Sequence, residues 1–159
     1  MNLLQKYLFL VFLIVIALSS KAQCPDDNVW SGDPTVNTGC PGSTTVTLDA
    51  GEYINIDVVA GNIYTFTTCV AGNTCDSYLT LADLPTLTSY ASNDDGGTAV
   101  NGCSEIVWTS NVTGTLSLLL DRYQNPANPC QNSGCLATNI SIACDQPPAN
   151  TAPCGAIVL

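Results

Sequence analysis

The sequence predicts an all-β fold, an antiparallel β-sandwich or jelly roll stapled by disulfides, and three observations support this prediction. Short segments of alternating apolar and polar residues follow one another between turns rich in Gly, Asn and Pro. No apolar stripe with helical spacing runs for a useful length after the N-terminal region. Nine cysteines, all from Cys24 onward, indicate a disulfide framework. Many short strands with regular turn signals are typical of sandwiches.

The N-terminal segment has the pattern of a cleaved secretory signal. Lys6 precedes an apolar run over residues 7–18, and the small residues Ser20 and Ala22 fit cleavage before Gln23. The run is short for a membrane span, so an uncleaved anchor is the less favoured alternative. We expect residues 1–22 to be removed and the remaining chain to be secreted, extracellular or at the cell surface, without a membrane partner after cleavage. Cysteines in that compartment form disulfides.

Period-two patterning predicts eight strands after an irregular lead-in at 23–43. Turns rich in Gly and Asn separate the early strands, because these residues accept the positive backbone dihedrals of tight hairpins. The predicted strands lie at 44–48, 53–59, 63–69, 77–82, 88–92, 105–109, 115–120 and 138–143.

The same alternation predicts which side chains enter the core. Ile54, Ile56 and Val58 share one face of their strand, and Tyr64 and Phe66 share one face of the next. Trp108 alternates with Ile106 and is also expected in the core.

The domain is expected to span residues 44–144. A Pro-rich linker follows at 145–153, and the apolar segment at 154–159 is expected to begin a further, truncated segment of the same polypeptide. A floppy tail is the alternative interpretation of that segment.

The charge balance restricts the partners. The chain has 3 Lys and Arg against 13 Asp and Glu, a formal net charge of −10, and signal removal leaves Arg122 as its one cationic side chain. Nucleic acid and anionic membranes would approach against like charge, so neither is expected as a partner. Divalent cations and neutral polymers remain compatible with the charge.

The sequence also restricts the chemistry. It contains no His, which excludes Ser-His-Asp and Cys-His catalysis and the common zinc hydrolase sites. A glycosidase built from Asp76, Asp94, Asp95 and Glu105 is the remaining enzymatic alternative, although no pattern in the sequence fixes the separation of two carboxylates across a cleft. We therefore expect no enzymatic activity.

Proximity along the chain is the basis for the predicted disulfides. Cys69 is expected to pair with Cys75, Cys130 with Cys135, and Cys40 with Cys144 across the first and last strands, leaving Cys154 unpaired.

Five ordered motifs resemble the bacterial pre-peptidase C-terminal domain, a β-sandwich appendage of large secreted proteins. The resemblance covers about residues 44–144, and its motifs lie at 60–67, 76–81, 90–95, 106–109 and 113–120. It implies a non-catalytic accessory module that assists secretion, stability or attachment, with calcium binding in some relatives. The cysteine density and the lack of an attached peptidase depart from the usual pattern.

An acidic turn after the strand at 88–92 is the candidate metal site. Asp76, Asn93, Asp94 and Asp95 match the family positions and carry the hard oxygen ligands that calcium takes. An Asx-type turn that only closes the loop is the alternative.

Exposed aromatic side chains are the candidate ligand-binding residues. Trp30 and Tyr90 are predicted to contact an extracellular polymer, a glycan or a surface protein. The expected function is thus that of an accessory or adhesive module of a bacterial extracellular protein. An inert structural spacer is the first alternative and a secreted hydrolase the second.

Overall fold

The computed structural model describes residues 28–86, 88–96, 102–126 and 129–147. Their regular elements are all strands, which confirms the all-β prediction. No helix in these ranges is long and apolar enough to cross a membrane. The predicted signal at 1–22, the segment at 154–159 and Cys154 lie outside the described residues. The strands are β1 Val29–Trp30, β2 Gly42–Leu48, β3 Glu52–Val58, β4 Ile63–Thr67, β5 Ser77–Asp83, β6 Thr88–Asn93, β7 Glu105–Thr109, β8 Gly114–Arg122 and β9 Thr138–Asp145.

Two sheets form the sandwich. One has five strands in the order β1-β3-β8-β5-β6, and the other has four in the order β2-β9-β4-β7. All the pairings are antiparallel except that of β1, which runs parallel to β3 and pairs Trp30 with Tyr53. The lead-in is therefore not wholly irregular, since Val36 also bridges Ile56. Its apolar residues recur too sparsely to produce a period-two signal.

The core lies between the sheets and contains most of the side chains that the alternation predicted, whereas Trp108 is half-buried against it. Ile54, Ile56 and Val58 are buried from the five-stranded sheet, and Tyr64 and Phe66 are buried from the other. The rings of Tyr64 and Phe66 stack with centroids 6.1 Å apart.

Three disulfides connect described cysteines. Cys40–Cys144 is present as predicted, with Cα atoms 5.2 Å apart. The predicted Cys69–Cys75 pair is wrong, because Cys69 bonds Cys103 and Cys75 bonds Cys135.

The register of the strands explains the correction. Thr67 of β4 lies opposite Glu105 of β7, so positions two residues beyond each strand end, 69 and 103, meet across the ladder. The predicted Cys130–Cys135 pair is wrong as well, although Cys130 does take part in a disulfide. Proximity along the chain was the wrong guide, because strands distant in sequence are neighbours in the sandwich.

The two long sides of the sandwich differ. On the closed side, β6 of one sheet faces β7 of the other, and Tyr90 packs on Trp108 with ring centroids 5.7 Å apart. On the open side, β2 is the edge of its sheet and faces the lead-in segment that borders β3.

Candidate functional site

An acidic rim forms at one end of the five-stranded sheet. Asp76 directly precedes β5, while Asp94 and Asp95 directly follow β6. Because β5 and β6 are antiparallel neighbours, the start of one lies beside the end of the other. β8 flanks β5 on its other side and ends there with Arg122, followed by Tyr123. The structure thus brings together the carboxylates that the sequence singled out.

The rim carboxylates act on one another electrostatically. Partial desolvation raises the pKa of Asp76 above its ordinary 3.8, and the charges of Asp95 and Asp94 raise it further. The guanidinium of Arg122 opposes this effect and lowers the same pKa. The one cation of the predicted mature chain therefore lies where negative charge is concentrated.

Tyr123 links the rim to the outer face of the sheet. Its backbone N–H donates to the carbonyl of Asp76 at 2.9 Å. Partial desolvation raises the pKa of its phenol, as do the charge of Asp94 and the hydrogen bond between the two side chains. Its ring stacks on Tyr78, with centroids 6.4 Å apart and planes 14° apart.

Gly102 fits the rim closely, with a φ of +66°, and a Cβ at this position would overlap the Asp76 carboxylate. Its carbonyl accepts the backbone N–H of Ser77 at 2.9 Å. A glycine is required here both for its backbone conformation and for the space that it leaves.

The rim has some of the features of a metal site. Its donors are the hard oxygens that calcium takes, and the buried Oδ1 of Asn93 has no hydrogen-bond partner. However, within the described ranges no group of three or more His, Cys, Asp or Glu side chains is placed to hold a metal ion. Arg122 and Tyr123 supply the positive charge and the donated hydrogen bond that the carboxylates need. The donor chemistry fits calcium, and Arg122 offsets only part of the negative charge, since the pKa of Asp76 remains raised.

A row of register partners crosses the outer face of the same sheet. Trp30 lies beside Tyr53, Tyr53 beside Leu119, Leu119 beside Thr80, and Thr80 beside Ser92. Their chain neighbours in β3, β5 and β8 point into the core, so the row lies on the opposite side of the sheet. Its middle members, Leu119 and Thr80, are nevertheless fully buried.

Aromatic side chains lie at both ends of this outer face. Trp30 is 53% exposed, and Tyr53 is half-buried beside it. Tyr78 and Tyr123 form the stacked pair near the rim, and the hydroxyl of Tyr78 donates to Ser92 at 3.1 Å. We call Trp30, Tyr53, Tyr78 and Tyr123 the aromatic face.

The two predicted ligand-binding residues do not share a surface. Trp30 is on β1 and Tyr90 is on β6, at opposite edges of the five-stranded sheet. Tyr90 also packs against the core, so it cannot form a platform with Trp30. Tyr53 and Tyr78 are the residues that sequence reasoning missed. The signal was available, because each alternates with core positions and must therefore point outward.

Comparisons with known proteins identify a family and a similar solved structure. The family model described as "Domain of unknown function (DUF8695)" matches residues 43–146, which span β2 to the end of β9. No curated protein matches the chain. The chain is similar to the crystal structure of the pre-peptidase C-terminal domain of a collagenase from Bacillus anthracis, with 12% sequence identity and a TM-score of 0.42. That alignment covers 77% of this chain and 99% of the other.

Proposed function

We propose that this chain, which belongs to the family described as "Domain of unknown function (DUF8695)", is a non-catalytic accessory module that attaches an exported bacterial protein to an extracellular polymer. The observation that carries the proposal is the aromatic face, where the pair of Trp30 and Tyr53 and the stacked pair of Tyr78 and Tyr123 lie on the same side of the five-stranded sheet, at either end of a buried stretch. Aromatic rings present a large apolar area at small cost in side-chain entropy, and their polar tips hydrogen-bond at wet surfaces. Sugar rings offer complementary apolar faces and hydroxyls.

The state of the rim supports binding rather than catalysis. Asp94 accepts a hydrogen bond from Tyr123, and Arg122 lies beside Asp76. A general acid and base must instead be free to exchange protons with a substrate. The disulfides are consistent with an extracellular location, because such bonds persist in oxidising compartments.

Retention on insoluble polysaccharides tests the proposal. The full disulfide-bonded chain should be retained weakly as a single copy and more tightly as a tandem repeat, because linkage raises the effective concentration. Trp30→Ala should weaken retention about tenfold through loss of ring contact. Leu136→Ala is the matched control, because Leu136 is 77% exposed outside the aromatic face.

Two other experimental outcomes would each favour an alternative function. No retention in either format would favour the inert spacer. Turnover of a substrate that is lost in a folded Asp94→Asn variant would indicate the secreted hydrolase.

We further propose that calcium stabilises the fold through Asp76, Asn93, Asp94 and Asp95. The supporting observation is the gathering of hard oxygen donors at the rim, where desolvation and then the charges of Asp95 and Asp94 raise the pKa of Asp76. A divalent cation bound to the folded state alone would relieve that repulsion and raise Tm with its concentration.

The calcium proposal has its own test. Millimolar calcium should raise Tm relative to chelator, and Asp94→Asn should remove the increase. Asp57→Asn serves as the control, because Asp57 lies away from the rim and accepts a hydrogen bond from Thr115 at 2.8 Å. Identical melting curves with and without calcium would leave Arg122 as the counter-charge of the rim and would not affect the polymer-binding proposal.

A further inference from the structure

The outer edge of β2 carries backbone hydrogen-bonding groups that its own sheet does not use. Asn139 of β9 donates its backbone N–H to Oδ1 of Asn73 at 3.1 Å and accepts from Nδ2 of the same residue at 2.7 Å. Asn73 lies on the β4 side of β9, since it also bonds the carbonyl of Thr68 beyond the end of β4. The backbone groups of Asn139 therefore point away from β2.

The pairing of β2 with β9 determines where the backbone groups of β2 point. Thr47 lies opposite Asn139, and in an antiparallel pair both residues of a non-hydrogen-bonded site direct their backbone groups outward. The N–H and C=O of Thr47 thus face away from β9, as do those of Thr45 and Ser43 by alternation. No described residue forms a backbone hydrogen bond with them from outside the sheet.

A groove runs beside this edge. Its volume is about 480 Å³, and its lining is Asp33, Pro34, Val36, Thr45, Val46, Thr47 and Ile54. Val36 and Val46 are half-buried against the core, and Ile54 belongs to it. The groove therefore has an apolar floor and one carboxylate at its wall. It lies beside a strand edge whose outward backbone N–H and C=O groups are available for pairing with another strand.

The edge on the closed side lacks this combination. The same alternation directs the backbone groups of Glu105, Val107 and Thr109 outward from β7, because Gly61 and Ser110 continue the β4–β7 ladder at the other positions. Behind β7, however, the ring contact of Tyr90 with Trp108 fills the space between the sheets. A segment added at β7 would gain hydrogen bonds without a groove for its side chains.

We propose that the edge of β2 binds an extended segment of another polypeptide, which adds a strand to the four-stranded sheet and places alternate apolar side chains in the groove. The charge identifies the partner's chemistry as basic, because Asp33 flanks the groove and the chain carries a formal net charge of −10. A second copy of this chain would approach against that charge. The expected partner segment thus alternates apolar and polar residues and carries Lys or Arg.

Binding of a synthetic peptide tests the proposal. The probe has the length of β2 and alternates Val with Thr between terminal Lys residues. Thr45→Pro removes an outward N–H that the sheet does not use, and proline is tolerated at such edge positions. It should weaken binding about tenfold, because it deletes a strand-pairing donor and places a ring at the edge. Val107→Pro is the matched control, since it makes the same change at the other edge, and it should retain full affinity.

Amide hydrogen exchange on the unaltered chain provides a second measurement that does not depend on the folding of a variant. The peptide should protect the amides of Ser43, Thr45 and Thr47 and leave that of Val107 unprotected. A peptide with terminal Glu in place of Lys should bind more weakly, and more so at low salt. Equal affinity of the Thr45→Pro variant and the unaltered chain, protection at β7 alone, or absence of peptide binding would overturn the proposal.

Discussion

The closed and open sides of the sandwich differ in the side chains that fill the space between the two sheets. On the closed side, aromatic rings from β6 and β7 meet between the sheets, with Trp108 contacting both Tyr90 and Tyr64. On the open side, the residues at the corresponding depth are Val36, Val46 and Ile54, and a groove remains beside them. Large side chains close a gap between sheets that short branched side chains leave accessible.

The disulfides on the open and closed sides also differ. The open side is held at one end by Cys40–Cys144, whose cysteines are 104 residues apart in sequence. The Cys69–Cys103 bond near the start of β7 spans only 34 residues. The side with less packing thus carries the crosslink that restricts the unfolded chain more.

Removing the crosslinks should produce the largest effect. A Cys40→Ala, Cys144→Ala double variant should lose about 5 kcal/mol in free energy of unfolding, and Cys69→Ala with Cys103→Ala about 4 kcal/mol, because longer loops lose more entropy on closure. Urea unfolding without reductant measures both values. A larger loss for the closed-side pair would mean that packing, rather than loop length, sets the value of each bond.

Truncating one side chain on each side should have a smaller and unequal effect. Trp108→Ala should cost about 3 kcal/mol, because it removes two aromatic contacts and leaves a cavity. Val46→Ala should cost about 1 kcal/mol, since Val46 is half-buried beside the groove. The double variant should lose the sum, because the two residues lie on opposite edge strands of the four-stranded sheet. An equal cost at both sites would show that the open side is packed as tightly as the closed one.

Much of this architecture was predictable from the alternation of residues. Ile54, Ile56 and Val58 were placed correctly in the core because a strand has only two faces and the polar residues between them fix which face is buried. The order of the strands within each sheet was harder to predict from the sequence. Cys69 pairs with Cys103 because β4 and β7 are neighbours in the sheet, and no local pattern encodes that order.

The site was predictable in part for the same reason. Asp76, Asp94 and Asp95 were expected in one site, and the structure brings them together because they flank consecutive antiparallel strands. Tyr90 was assigned to the surface although it packs on Trp108, because sequence alone does not show which half-buried aromatic has a partner across the sheets. Tyr53 could be assigned to the aromatic face only from the structure, which pairs it with Trp30.

The smallest predicted effect concerns the acidic rim, which lies at the end of β6 and so belongs to the closed side. The folded-state pKa of Asp76 is raised from 3.8, so ionisation of Asp76 is less favourable in the folded chain than in the unfolded one. The folded state is therefore destabilised at pH values above that raised pKa, and the penalty disappears as the pH falls toward and below 3.8.

Asp76→Asn should remove the penalty without changing the shape of the side chain. At neutral pH the variant should melt about 1–2 °C higher than the unaltered chain, a small increase because Asp76 is exposed and solvent screens its interactions. The difference should shrink as the pH approaches 3.8, where Asp76 of the unaltered chain becomes protonated. Asp33→Asn controls for the loss of one negative charge, since Asp33 lies at the groove on the open side. A variant that melts lower at neutral pH would mean that Arg122 outweighs Asp94 and Asp95 at this carboxylate, and that the rim stabilises the closed side rather than straining it.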